Sequence, residues 1–224
     1  MIMVTMRSRL GFSFPRTFAA TALLLLFGAT ALGARPDLPP AKDAMTYPAF
    51  DIHQKEQVAI AAEPYDTKEK CKVFQVDYLQ YHFLPIRIIV TNMGDRPISL
   101  NDARIFLVDS AGEHIQAAEP EDVERRIRPQ YNKATDIPIG PIHLPHKPKT
   151  SDPKIEADFN EFEYAALAVE PHTTRAGFLF YDIDGLGENP LRGAKLVLRE
   201  LKNADGQQLF YFEIPFDKYL NAAH

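Results

Sequence analysis

Apolar and polar positions alternate most clearly from Ile86 to Thr91, where Ile86, Ile88 and Val90 interleave with Arg87, Ile89 and Thr91. Period two is the mark of a strand with one face on a core. Asn92-Met93-Gly94-Asp95 breaks the run with turn residues. Arg104 to Asp109 restarts it, with Ile105 and Leu107 on one face and Phe106 and Val108 on the other, and Ser110-Ala111-Gly112 closes it. This reading turns Arg87, Thr91, Asn92 and Asp95 away from the core.

Similar runs recur along the chain. Strands are predicted at 57–62, 86–92, 98–108, 164–169, 174–182, 195–201 and 208–214. The last two face each other across Asn203-Ala204-Asp205-Gly206, a strong hairpin signal. The spacing predicts a mainly β chain, and specifically an immunoglobulin-like β-sandwich. Helical spacing appears elsewhere. Glu119 to Arg128 carries Pro120 at the first helical position and acid-to-base pairs Glu121–Arg125, Asp122–Arg126 and Glu124–Arg128. Only Val123 and Ile127 are apolar there, so this helix should dock by a narrow stripe. Asp152-Pro153 can open a second helix with Ile155, Phe159, Phe162 and Ala166 inward and Glu156, Asp158 and Glu161 outward. A short helix from Thr67 to about Val73 is also expected, capped by Asp66. Pro129 to Pro153 is too rich in proline for an inner strand. It reads as a long crossing loop or lid, and as the first place to look for a binding site. The sandwich therefore carries a proline-rich, partly helical insert at about 119–163.

The first residues lie outside this pattern. Arg7, Arg9 and Arg16 precede an apolar stretch from Phe18 to Leu32, and Ala29-Thr30-Ala31 or Ala31-Leu32-Gly33 would suit a small-x-small cleavage. Residues 1–33 are read as a secretory signal peptide, too short in its apolar part for a membrane span. Residues 34–56 are read as a flexible linker with Pro36, Pro39 and Pro40, and residues 57–220 as one sandwich domain. The expected location is periplasmic or extracellular, with no membrane span after cleavage.

Charge and cysteine content narrow the partners. The net charge is −5, and losing the three signal arginines with no acid moves it to −8. Such a surface repels phosphate backbones, so nucleic acid is not an expected partner. Cys71 is the single cysteine, so no internal disulfide can form. Its setting among Lys68, Glu69, Lys70 and Lys72 reads as a part-buried spectator thiol.

The motifs Ile88-Ile89-Val90-Thr91-Asn92-Met93-Gly94, Arg104-Ile105-Phe106-Leu107 and Val169-Glu170-Pro171-His172-Thr173-Thr174-Arg175-Ala176-Gly177-Phe178-Leu179-Phe180 resemble uncharacterised exported bacterial immunoglobulin-like β-sandwich proteins. The resemblance covers roughly 83–112 and 165–183. It implies a fold and no activity.

Candidate chemistry is thin. Asp182-Ile183-Asp184-Gly185-Leu186-Gly187-Glu188-Asn189 gathers oxygen donors around glycines. Calcium takes six to eight hard oxygens, so Asp182, Asp184, Glu188 and Asn189 are candidate ligands, although Leu186 stands where an EF-hand loop places its third. The dull alternative is a strand-end turn. His143 and His146 are a zinc-like pair without a third ligand, and Pro145 prevents the helix that would align them. His172 reads as a surface turn residue, and His53, His82 and His114 have no local partner pattern. No nucleophile elbow, zinc-protease helix or phosphate loop is present. No cofactor is implied. The sequence favours a non-enzymatic binding or structural accessory module of the bacterial cell envelope, with a possible envelope protein partner. The alternative is a calcium-dependent binder or hydrolase using the loop 182–189.

Overall fold

The computed structural model describes residues 35–128 and 152–222. In chain order the strands are β1 (Phe50–His53), β2 (Val58–Pro64), β3 (Phe83–Asn92), β4 (Ile98–Ser99), β5 (Arg104–Val108), β6 (His114–Gln116), β7 (Ala168–Val169), β8 (Thr173–Asp182), β9 (Lys195–Arg199) and β10 (Phe212–Pro215). The helices are α1 (Pro120–Ile127), α2 (Pro153–Phe162) and α3 (Asp217–Ala222). The fold is mainly β. One antiparallel sheet has the order β1-β2-β3-β8, another the order β10-β9-β5-β6, and β4 pairs with β7. Among the described residues no helix is long and apolar enough to cross a membrane.

The main core lies between the two larger sheets. Leu84, Ile86, Ile88 and Val90 of β3 meet Leu107, Leu196, Leu198, Phe212 and Ile214 of the second sheet. A second core covers the outer face of the first sheet. There α1 contributes Val123, α2 contributes Ile155, Phe159 and Phe162, and β8 contributes Phe178 and Phe180. Phe74 is the hinge of this cluster, edge-on to Phe162 at 5.3 Å and to Phe178 at 5.0 Å.

This second layer changes the reading of β3. The alternation predicted one buried face, yet all ten residues of β3 are buried. Ile89 packs with Ala44, Ala59 and Ala61 on the outer face. The Arg87 guanidinium donates to the Pro39 carbonyl at 2.8 Å, and the Ala44 N–H donates to Thr91 Oγ1 at 2.9 Å. Asn92 donates to the Arg96 and Val169 carbonyls and accepts from the Gly94 N–H. Arg87, Thr91 and Asn92 are thus buried rather than outward, each with polar partners, although Arg87 Nε makes no hydrogen bond among the described residues. The covering chain is the stretch expected to be a linker. Residues 35–56 instead carry a 3-10 turn at Ala44–Thr46, buried Ala49 and the strand β1.

Boundaries differ where turn residues cut an apolar run. The predicted strand 98–108 divides into β4 and β5, with the Ala103 N–H bonded to the Leu100 carbonyl between them. The run 164–169 keeps only β7, and the helix expected at 67–73 is a 3-10 turn at Lys70–Val73. β9 and β10 pair as the hairpin signal requires, and Asn203 Oδ1 accepts from the Asp205 and Gln207 N–H groups in the turn. The strands β1 and β6 were not foreseen. α1 lies where the periodicity placed it, and α2 begins as expected, with Asp152 capping it through the Lys154 N–H at 2.9 Å, but it ends at Phe162, so Ala166 falls outside the helix.

Both open sides of the sheet pair are bridged. On one, Ala117 bridges to Tyr181, and the Tyr164 N–H donates to the Phe178 carbonyl at 2.9 Å. Gly177 permits this approach, because a Cβ there would stand 2.5 Å from Tyr164 Cα. On the other, Asp51 Oδ2 accepts from the Glu213 N–H, Glu56 Oε1 accepts from the Phe210 N–H, and His53 stacks on Phe212 at 3.8 Å.

Candidate functional site

A cleft of about 530 Å³ opens where β3 begins and β8 ends. Register brings the two points together, since Phe83 pairs with Asp182. The Ala117–Tyr181 bridge and the bond from the Ala118 N–H to the Phe180 carbonyl lay the end of β6 along the free edge of β8. α1 starts two residues later, so its last turn must pass over the end of β8. The lining is Phe83, Gln116, Ala117, Ala118, Asp122, Arg125, Arg126 and Asp182.

Arg126 organises the cleft. It pairs with Asp182 through Nη2 and lies 3.3 Å from an Asp184 oxygen through Nη1. Its guanidinium carbon sits 5.4 Å from the Phe83 ring centre, within cation–π range. Nη1 is buried, and among the described residues its one partner is that Asp184 carboxylate, held as an ion pair without hydrogen-bonding geometry. Arg125 binds Asp122 at 3.0 Å, and Arg128 reaches Asp152 at 2.7 Å. Arg125 therefore stays within the helix, at i,i+3 instead of i,i+4, while Arg126 and Arg128 pair with carboxylates outside it.

The calcium candidates separate into two groups. Asp182 and Asp184 come together: the Asp184 N–H donates to Asp182 Oδ1 at 3.0 Å, and both carboxylates face Arg126. Glu188 and Asn189 are exposed further along the loop. The Asn189 carbonyl accepts from the Arg192 N–H, which makes that end a turn. Among the described residues no group of three or more His, Cys, Asp or Glu side chains could hold a metal ion. A cation brought to Asp182 would have to displace the guanidinium already there.

Other candidates fall elsewhere. His143 and His146 lie outside the described residues, as does most of the proline-rich segment, residues 129–151. His172 Nε2 lies 2.9 Å from Asp95 Oδ1 and ties two surface turns together. Cys71 is buried, its thiol donates to the Tyr65 carbonyl at 3.0 Å, and burial pushes its pKa up to about 12. His53 has partners after all: Glu56 Oε2 at 2.7 Å and Asp51 Oδ2 at 3.4 Å. The pattern Asp51-x-His53-x-x-Glu56 was the sequence signal for that cluster. Nothing local signalled Arg126, because its carboxylate partners lie 56 and 58 residues away along the chain.

Chemically the cleft offers two guanidinium groups, two carboxylates, an amide and an aromatic wall. Among the described residues lining it there is no Ser, Thr, Cys, Tyr or His. It can hold an acceptor oxygen and an apolar group side by side. Comparison with protein-family models, with curated proteins and with solved structures finds no match for this chain.

Proposed function

We propose that the chain is an exported, non-enzymatic binding or structural accessory module of the bacterial cell envelope, built on an immunoglobulin-like β-sandwich. Export rests on the basic and apolar pattern of residues 7–32, and places the protein in the periplasm or outside the cell. The immunoglobulin-like reading is supported by the two antiparallel four-stranded sheets with apolar faces between them. The observation that carries the binding reading is the Arg126 centre. A guanidinium held by two carboxylates and an aromatic ring in the wall of a cleft is a preorganised site for a hydrogen-bond acceptor. The alternative, a calcium-dependent binder or hydrolase using loop 182–189, draws on the same Asp182 and Asp184.

The test is a pull-down from envelope extract with the wild-type chain and with Arg126→Gln, paired with a hydrolase screen. A partner retained by wild type and released by Arg126→Gln supports the proposal. A turnover that disappears in Asp182→Ala or Asp184→Ala, with no partner recovered at any salt, overturns it.

A further inference from the structure

The outer face of the second sheet carries a row of stacked side chains that crosses all its strands. His114 of β6 stacks on Phe106 of β5, with ring centres 4.4 Å apart. The Arg199 guanidinium, at the end of β9, lies 5.4 Å from the Phe106 ring centre and 5.6 Å from that of Tyr211. Tyr211 leads into β10 and contacts Phe210 at 4.5 Å. Beneath the row, Phe106, Val108 and Val197 form an apolar cluster separate from the core between the sheets. The end of the row is bare: Phe210 is 64% exposed and Tyr211 39%.

Arg199 differs from its cationic neighbours. Arg104 binds Glu200 at 3.1 Å and Lys195 binds Glu213 at 2.8 Å. Arg199 is exposed and, among the described residues, makes no ion pair and no hydrogen bond. Two rings flank its guanidinium while, among the described residues, its N–H groups have no acceptor. A planar guanidinium held in that way is prepared for bidentate capture of a carboxylate, with little left to order on binding. Arg, Tyr and Phe are also the side chains most enriched among interface anchors.

We propose that this face docks an acidic segment of a protein partner. Arg199 takes one Asp or Glu carboxylate in two hydrogen bonds, and Tyr211 and Phe210 pack against an apolar side chain beside it. Charge selects this occupant. The row's one uncommitted charge is a single guanidinium, which complements one carboxylate, while the net charge of −5 repels a polyphosphate or nucleic-acid backbone. Size agrees with it. Four strands spaced about 4.8 Å apart span roughly 15–20 Å, the length of about five or six extended residues at about 3.4 Å each. The inference is independent of the Arg126 cleft, which lies at the end of β8 in the first sheet.

The experiment is a selection of dodecapeptides displayed on phage against the full chain, followed by titration of the recovered peptides. Expected are sequences with Asp or Glu next to an aliphatic or aromatic residue. Arg199→Gln should weaken them at least about tenfold, Arg199→Lys by an intermediate factor, and Phe210→Ala by about threefold or more. The melting temperatures of the variants, measured alongside, should stay near wild type because these side chains are exposed. Recovered peptides without acidic enrichment overturn the proposal, and so does affinity indifferent to Arg199→Gln. Self-association of the wild-type chain that Arg199→Glu abolishes also overturns it, because the occupant would then be a second copy.

Discussion

Replacing Asp158 should reveal which of two opposed forces governs a buried charge. Asp158 belongs to α2 and is fully buried, although the helical spacing turned it outward. Its carboxylate accepts from the Gln75 N–H at 2.9 Å, the Val76 N–H at 3.1 Å and the Tyr78 hydroxyl at 3.2 Å. Arg35 Nη1 stands at 3.4 Å. Burial opposes the charged form and these donors favour it. Burial is the larger effect and holds the carboxyl above its ordinary value of 3.8. The folded state therefore binds this proton more tightly than the unfolded chain does. The resulting stability is complete below the ordinary value and is lost as pH rises through the raised one.

Asp158→Asn removes that titration while keeping the shape. Its amide presents one acceptor and turns an N–H group toward N–H donors, so it should destabilise by roughly 1–2 kcal/mol. Asp158→Ala leaves two backbone N–H groups and a hydroxyl without their acceptor. At roughly 1 kcal/mol each, the loss is about 3 kcal/mol, or a melting temperature lower by about 6–12 °C for a chain of this size. Urea unfolding followed by circular dichroism at a series of pH values measures both, with an unchanged m-value as the check on two-state behaviour. The gap between wild type and either variant should be widest below the ordinary carboxyl value of 3.8 and should narrow as pH rises through the raised one. A gap that widens with pH would show that the donors outweigh burial. A cost for Asp158→Ala below about 1 kcal/mol would show that the carboxylate does not hold α2 to the 74–78 turn.

Gly177→Ala should cost about 1–3 kcal/mol in chemical denaturation, because the added methyl meets the Tyr164 backbone rather than a side chain that can rotate away; a neutral effect would mean that segment shifts freely. Cys71, with its pKa pushed up to about 12 by burial, should react with an aromatic disulfide reagent only at the rate of unfolding, and a native rate equal to that of free cysteine refutes the burial argument. Millimolar calcium should leave the wild-type melting temperature unchanged, because Arg126 already occupies Asp182 and Asp184. A clear rise would establish a calcium site, since a ligand of the native state must stabilise it.

The periodicity of the chain carried the existence and type of its long elements. It could not carry what lies on the second face of a strand. β3 read as half-buried because Arg87 and Thr91 interrupt its apolar residues, yet each of those side chains meets a partner from the segment 39–44. A polar residue in alternation says that a face is polar, not that it is wet. The same ambiguity sent Asp158 outward on paper. In both cases the satisfying partner lies between 47 and 83 residues away in sequence, a distance that no local pattern spans.

The candidate site follows the same logic. Loop 182–189 was visible as a cluster of oxygens, but its chemistry is set by Arg126, and α1 was legible only as a charged, solvated helix. Where acid-to-base spacing on a short helix is abundant, the pairs within the helix compete with carboxylates brought in by the tertiary fold. A helix-internal pair contributes only about 0.2–0.5 kcal/mol. Arg126 instead gains two carboxylates and an aromatic face, partly shielded from water, and the tertiary arrangement wins. Charge runs that look self-sufficient in sequence are therefore the places where a fold can recruit a site at small local cost, and α1 has become the wall of a cleft for that reason.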